Sequence, residues 1–199
     1  MAAVAAFRGP GCCAHPEATG IREEKETLRG TIEIDSARMS DAAAISAILL
    51  TNRADRDLFQ ESASGISRHV TDFIVARNEA GDIVGCAGVH RGPSALAQLY
   101  SVAVAPPWQG VGVGGKLVSA ATRAAILSGV ERLWGATVKP DYFTRYGFRP
   151  ISAWELPSSV LLRQLRRTLR QPPGRIVLAL TGKYTFMDRD LGRLPKMDH

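Results

Sequence analysis

The stretch Leu99–Val118, LYSVAVAPPWQGVGVGGKLV, contains the three elements that decide the fold. It begins inside an apolar run, Leu96–Val104, which predicts a buried strand that two prolines then end. Four glycines follow within the six positions Gly110–Gly115. Apolar residues at helical spacing come next and predict a helix to about Ser128, with Gly129 as its C-terminal cap. The sequence therefore predicts a strand, a glycine-rich loop and a helix in direct succession.

The segments around this unit predict further strands, hairpins and helices. The other predicted strands are Thr31–Asp35, Phe73–Arg77, Ile83–His90, Arg132–Val138, Phe148–Ala153, Arg175–Thr181 and Lys183–Met187. The other predicted helices are one capped by Ser40 and running to about Asn52, one within residues 53–71, a short one opened by Pro140 and a basic one over Arg163–Arg170. We therefore expect one α/β domain over residues 31–187, between a disordered tail at 1–30 and a C-terminal tail at 188–199.

Composition restricts the class of protein. The chain has 199 residues, is 45% hydrophobic and 22% charged, and carries a formal net charge of +6, which excludes a wholly disordered, collagen-like or coiled-coil chain. It has no run of about 18 apolar residues, so we expect no membrane span. Residues 2–7 are apolar but lack the basic flank of a signal peptide. Three cysteines are too few for a disulfide framework, which favours a cytoplasmic location.

The glycine-rich loop suggests a phosphate-binding site, because glycines let backbone N–H groups approach a phosphate and the helix N-terminus attracts negative charge. Three ligand classes are open. A nucleotide P-loop fits Gly110 to Lys116, but Leu117 stands where a hydroxyl residue would hold magnesium. A dinucleotide fingerprint also fits, but the acidic Glu131 precedes its strand instead of ending it. Coenzyme A is the third, and a tight packing turn is the structural alternative.

Two motifs resemble the signature of the GNAT superfamily of N-acetyltransferases. Gln109–Gly114 matches its pattern Gln/Arg-x-x-Gly-x-Gly/Ala at every fixed position, and Val102–Pro106 matches its apolar lead-in. A second motif, Tyr142–Phe148, resembles the family's aromatic residues followed by Gly-Phe on a short helix. The resemblance extends over residues 31–187. Through Leu99–Val104 it is closest to amino-acid N-acetyltransferases, including the acetyltransferase module of N-acetylglutamate synthases.

The resemblance implies a single α/β domain of the GNAT kind, with a mixed and mostly antiparallel sheet between flanking helices. Its fourth and fifth strands, Leu96–Val104 and Arg132–Val138, would splay apart and admit the pantetheine arm of acetyl-CoA, the expected co-substrate. No metal is implied. The residues expected to contact acetyl-CoA are Val102, Ala103, Val104, Gln109, Gly110, Val111, Gly112, Val113, Gly114, Gly115, Lys116 and Phe143.

The resemblance also implies direct attack of an amine on the acetyl thioester, assisted by a general base and a general acid. Gln98 stands where the family usually has an acidic residue, and it cannot accept a proton. Phe143 stands at the position where the family usually has the tyrosine that acts as general acid. The candidate catalytic groups are therefore Tyr142 and Tyr100. His90 ends a strand near the expected acceptor side and is a further candidate base.

These observations predict an N-acetyltransferase that acts on the primary amine of a small molecule, with an amino acid as the expected acceptor. One alternative is an acyl-CoA-binding sensor or accessory protein that lacks the catalytic acid and base; another is a protein N-acetyltransferase. Related amino-acid acetyltransferases tend to carry Glu and Arg where this chain has Gln98 and Tyr100. The basic stretch Arg163–Arg175 fits a solvated helix face, a carboxylate site or a phosphate site. We expect no nucleic-acid or membrane partner, and a homodimer is an option.

Overall fold

The computed structural model describes residues 31–52, 62–169 and 184–192. Within these residues seven strands form one mixed sheet, namely β1 (Glu33–Ser36), β2 (Phe73–Arg77), β3 (Ile83–Arg91), β4 (Leu96–Val104), β5 (Arg132–Thr137), β6 (Arg149–Ile151) and β7 (Thr185–Asp190). The helices are α1 (Ala42–Thr51), α2 (Ala63–Ser67), α3 (Val113–Leu127), α4 (Pro140–Thr144) and α5 (Ser158–Leu169). The strand order is β1-β2-β3-β4-β5-β7-β6, and only the β4–β5 pair is parallel. The predicted α/β fold class is confirmed.

The predicted ends of several elements differ from those observed. Ser40 does not cap α1; it lies in a 3-10 turn, Met39–Asp41, that precedes the helix. The reason is that the Asp41 carboxylate accepts the N–H of Arg38 at 2.7 Å, so the chain begins to turn before α1 begins. At the other end, β7 continues to Asp190, three residues beyond the predicted limit of the domain. The predicted N-terminal tail and the predicted strand Arg175–Thr181 lie outside the described residues.

Helices cover both faces of the sheet. On one face, α3 buries residues spaced by one turn, Leu117, Ala121 and Ala125, against β2 to β5, whereas the predicted contact residue Ala124 is only half-buried. On the other face, α1 and α2 pack Ile45 and other apolar side chains against the sheet. Gly129 ends α3 with φ +72°, as its sequence position predicts.

The sheet opens at the strand that precedes the glycine-rich loop. β4 and β5 pair only from Leu96 to Gln98, and beyond this point β5 continues its pairing with β7 alone. A β-bulge lies on the open part of β4, where the register with β3 shifts by one residue and Ser101 has φ +51°. At the fork, a β-carbon on Gly135 would stand 3.0 Å from the carbonyl oxygen of Leu99. The fold therefore has the splayed fourth and fifth strands that the family resemblance implies.

Candidate functional site

A cavity of about 560 Å³ occupies the fork between β4 and β5. Its walls are the open part of β4, the end of β5 with the residues that follow it, α4 and the glycine-rich loop. The residues predicted to contact acetyl-CoA and the candidates Tyr142 and Tyr100 all line this cavity except Val111, Val113 and Lys116; the further candidate base His90 does not line it. The fold thus brings together side chains and backbone from two strands, a loop and a short helix.

The three exceptions have physical reasons. Val113 is almost fully buried, and its side chain packs under the sheet near Gly85. Val111 packs against the same apolar core. The side chain of Lys116 is exposed, and its backbone N–H already donates to the carbonyl oxygen of Gly112 at 3.2 Å. Lys116 therefore has no free backbone N–H to offer a ligand.

The N-terminus of α3 can hold an anion. Gly112 precedes the helix with φ +94°, and no side chain caps the first turn. Because Lys116 makes the first helical hydrogen bond back to Gly112, the N–H groups of Val113, Gly114 and Gly115 have no partner within the helix. A β-carbon on Gly112 would meet no protein atom within 4 Å, so the space in front of these N–H groups is open. This geometry fits a phosphate or diphosphate.

Two side-chain amides tie the glycine-rich loop to α1. The Gln109 amide nitrogen donates to the side-chain oxygen of Asn52 at 2.8 Å and to the carbonyl oxygen of Val104 at 2.9 Å. Asn52 in turn donates to the same Val104 oxygen at 3.0 Å and to that of Ile48 at 2.9 Å. Gln109 therefore anchors the loop through its side chain. Asn52 was not a predicted site residue, because no local pattern links residues 57 positions apart.

The backbone of β4 presents alternate residues to the cavity. The N–H of Ala105 donates to the carbonyl oxygen of Val84 at 2.8 Å, and the carbonyl oxygen of Ala103 lies on the β3 side, beside Gly85. Peptide groups alternate in direction along a strand, so those of Val102 and Val104 face the open fork. Of the three predicted backbone contacts, Val102 and Val104 are thus directed toward the cavity, while the backbone groups of Ala103 face β3.

Aromatic side chains form the wall opposite β4. The ring of Tyr142 packs edge-on against Phe143, with 5.2 Å between ring centroids, and lies 5.3 Å from the ring of Tyr146. Burial and a hydrogen bond with Tyr146 raise the pKa of Tyr142 above its ordinary value of 10.0. The phenol is therefore protonated at neutral pH, the state needed to donate a proton. Tyr146 belongs to the quoted motif but was not predicted as a site residue.

The charged residues that line the cavity are basic. Lys139 and Arg145 lie on its rim, and the described lining residues include no aspartate or glutamate. The guanidinium of Arg145 lies 5.3 Å from the centroid of the Tyr142 ring. The second candidate catalytic residue, Tyr100, lines the cavity from β4, and its ring covers Gly88 of β3.

Two further features concern residues 31–52, 62–169 and 184–192 only. Histidine, cysteine, aspartate and glutamate side chains do not come together there in any group of three or more that could bind a metal ion. No helix in these ranges has the length and apolar character needed to cross a membrane.

Comparison with known proteins identifies the domain. A family model described as an acetyltransferase (GNAT) domain matches residues 69–150. An N-acetyltransferase of Chlorobaculum tepidum is 28% identical over 127 residues, which cover 64% of this chain and 81% of the relative. The amino-acid acetyltransferase of Mycobacterium tuberculosis is 29% identical over 126 residues, which cover 62% of this chain and 72% of the relative.

A solved structure shares the fold. N-acetylglutamate synthase from Neisseria gonorrhoeae, solved with coenzyme A and N-acetyl-glutamate, superimposes with a TM-score of 0.67 at 22% identity. The match covers 82% of this chain but only 36% of the synthase. The family match over residues 69–150, the named activities of the relatives and the shared fold agree on one conclusion: these residues belong to a GNAT acetyltransferase domain.

Proposed function

We propose that this enzyme transfers the acetyl group of acetyl-CoA to the primary amine of an amino acid. The observation that carries the proposal is the charge of the cavity, in which Lys139 and Arg145 line the rim and no described lining residue is acidic. Such a rim attracts an acceptor that bears a carboxylate and repels a polyamine. The named activity of the Mycobacterium tuberculosis relative supports the same class of acceptor.

The proposed arrangement of acetyl-CoA follows the geometry of the fork. The free N–H groups at the start of α3 bind the pyrophosphate, and the peptide groups of Val102 and the N–H of Val104 bind the pantetheine arm along β4, since the Val104 carbonyl oxygen is already held by Gln109 and Asn52. The arm then points its thioester into the fork between β4 and β5. Tyr142 is the proposed acid that protonates the departing sulfur. Val111, Val113 and Lys116 contribute no side chain to this site.

The amine panel that tests the acceptor uses matched pairs of compounds. Release of free thiol from acetyl-CoA is followed with L-amino acids, with the α-carboxamides of the same amino acids, and with polyamines. The amino acids are expected to react fastest, because each carboxamide keeps the amine but lacks the carboxylate. Faster turnover of carboxamides or polyamines would overturn the choice of acceptor.

Matched variants test the contribution of the basic rim. Lys139→Gln and Arg145→Gln are expected to raise KM for the amino acid more than KM for its carboxamide. Lys116→Gln removes an equal charge outside the cavity and is the control, with both KM values expected to stay unchanged. Equal effects of all three variants would show that only the net charge of the protein matters.

A second candidate function is an acyl-CoA-binding sensor or accessory protein. Gln98 and Phe143 favour it, because neither side chain can exchange a proton as the usual residues at these positions do. The same panel separates the two functions. Tight binding of coenzyme A, together with no thiol release for any amine, would support the sensor.

A further inference from the structure

We infer that His90 is the general base of this enzyme and that Asp72 positions it. The inference rests on the proposed function, because it concerns the amine that attacks the thioester. Nδ1 of His90 lies 2.9 Å from Oδ2 of Asp72, although the two residues are 18 positions apart in the sequence. His90 is the penultimate residue of β3, and Asp72 ends the 3-10 turn that precedes β2.

The chemistry of the pair fixes which nitrogen can act as a base. An ionised carboxylate only accepts hydrogen bonds, so Nδ1 of His90 must carry the proton that Asp72 binds. The lone pair is then on Nε2, on the other side of the ring. The His90 side chain is 45% exposed and that of Asp72 24%, so the imidazole is more open to solvent than the carboxylate that orients it. This is the arrangement of an oriented base.

The register of the sheet places His90 near Tyr100, which lines the cavity, although His90 itself is not one of the lining residues. His90 pairs with Gln98 across β3 and β4, so the two side chains share one face of the sheet. Tyr100, two residues further along β4, lies on the same face and also lines the cavity. Diagonal neighbours in a sheet are about 7–8 Å apart, a distance that an imidazole ring and one water molecule can span.

Gln98 explains why the base must lie elsewhere than on β4. Its side chain is 93% buried on this face, but an amide cannot take up a proton. The histidine directly opposite it on β3 is the nearest group in the ladder that can. His90 on β3 therefore takes up the proton that the family's usual acidic residue on β4 would take up.

The acceptor amine loses two protons in this reaction. The ammonium group of the acceptor gives one proton through water to Nε2 of His90, and Asp72 stabilises the resulting imidazolium. The neutral nitrogen forms its bond to the acetyl carbon, and the carbon–sulfur bond breaks. The second amine proton passes to the departing sulfur, by way of the proposed acid Tyr142, which regains its own. His90 then returns its proton to solvent.

The kinetic test uses full-length variants and a matched histidine. His90→Gln is expected to lower kcat by about 10²–10⁴-fold, with KM for the amine little changed and coenzyme A affinity retained as evidence of folding. His69→Gln is the same change at a neighbouring histidine and should leave kcat near the wild-type value. Imidazole added to His90→Ala is expected to restore part of the rate, but to leave His69→Ala unaffected.

A spectroscopic readout separates a positioned base from a merely structural pair. Nitrogen NMR of the imidazole should show Nδ1 protonated in the wild type and a shift toward the other tautomer in Asp72→Asn, together with a fall in kcat. If the wild type acetylates an amine and His90→Gln does so at the same rate, this inference alone is overturned. Absence of turnover by the wild type with every amine would overturn the proposed function, and the inference with it.

Discussion

The hydroxyl of Tyr142 occupies the space that a β-carbon on Gly114 would fill. The next atom of the tyrosine, ring carbon Cζ, would stand 3.5 Å from that β-carbon, which is an ordinary contact. The steric conflict therefore involves the hydroxyl alone. This relationship joins the first turn of α3 to α4 and explains why a glycine stands inside a helix, where alanine is otherwise preferred.

The first prediction concerns this pair. Gly114→Ala is expected to lower the free energy of unfolding by about 1–3 kcal/mol, because the new methyl group overpacks against the Tyr142 hydroxyl. In Tyr142→Phe, which lacks the hydroxyl, the same change should be neutral or stabilising. Chemical denaturation of the four proteins in a double-mutant cycle measures the coupling. Equal losses in both backgrounds would contradict the contact.

The second prediction separates backbone strain from ligand binding at Gly112. Gly112→Leu is expected to abolish binding of coenzyme A in titration calorimetry, because its side chain would fill the open space before the α3 N-terminus. Gly129→Leu is the matched control, since Gly129 also has positive φ and no protein atom within 4 Å of a β-carbon, but does not line the cavity. Both variants should lose about 1–2 kcal/mol of stability through left-handed strain. Retained affinity in Gly112→Leu would refute the phosphate-binding role.

The third prediction concerns the acid. Tyr142→Phe is expected to lower kcat by up to about 10²–10⁴-fold, because the phenol that protonates the leaving sulfur is gone. The raised pKa of Tyr142 keeps this phenol protonated throughout the neutral range, so its ionisation should not limit the rate there. Steady-state kinetics of Tyr100→Phe provide the comparison. A larger loss in Tyr100→Phe than in Tyr142→Phe would assign the acid to Tyr100.

The fourth prediction concerns a buried carboxylate in β7. Asp188 is 1% exposed and accepts hydrogen bonds from Nε of Arg132, at 2.5 Å, and from Nε of Arg149, at 3.0 Å. Asp188→Asn is expected to lower the free energy of unfolding by about 1.5–3 kcal/mol, because a charged hydrogen-bond acceptor shared by β5 and β6 is lost. Urea denaturation measures this effect.

The control for Asp188 lies on the same strand. Asp190 is exposed and accepts the N–H of Gly192, a bond that asparagine can keep. Asp190→Asn should therefore change the stability by less than about 0.5 kcal/mol. Similar losses in the two variants would show that the arginine pairs contribute little.

The fifth prediction concerns acid stability. Burial disfavours the charged form of Asp41, but hydrogen bonds from the Arg38 backbone and the Arg77 side chain outweigh it and lower its pKa below the ordinary 3.8. Because the folded-state pKa is the lower one, the stabilisation is complete above pH 3.8 and is lost as the pH falls through the folded value. The stability difference between wild type and Asp41→Asn, measured by thermal unfolding, should shrink in that range. A difference that widens in acid would contradict this assignment.

Local patterns predicted the elements that form the site. The apolar run of β4 and the four glycines after it depend on neighbouring residues, so the strand, the loop and α3 were predicted close to their observed limits. Helix starts were harder to predict: Asp41 and not Ser40 directly precedes α1, and its carboxylate accepts the N–H of Arg38 in the preceding turn instead of capping the helix. The predicted tails and the strand over 175–181 fall outside the described residues.

Contacts between distant segments could not be read from any local pattern. The bonds of Gln109 to Asn52 and of His90 to Asp72 depend on how the sheet and helices pack. The same packing decides that the backbone of Ala103 faces β3 while its neighbours face the fork. Most of the predicted contact residues therefore line the cavity. Two of them have other roles than predicted, because the backbone of Ala103 faces β3 and the side chain of Gln109 anchors the loop.

The amino-acid order by itself determined that a strand ends in a glycine-rich turn before a helix, because residue size and backbone freedom act over a few positions. Only the tertiary structure decided where the two parallel strands separate, which N–H groups stay unpaired and which histidine meets a carboxylate. Those outcomes depend on the packing of helices against both faces of the sheet, and this packing joins residues far apart in the chain.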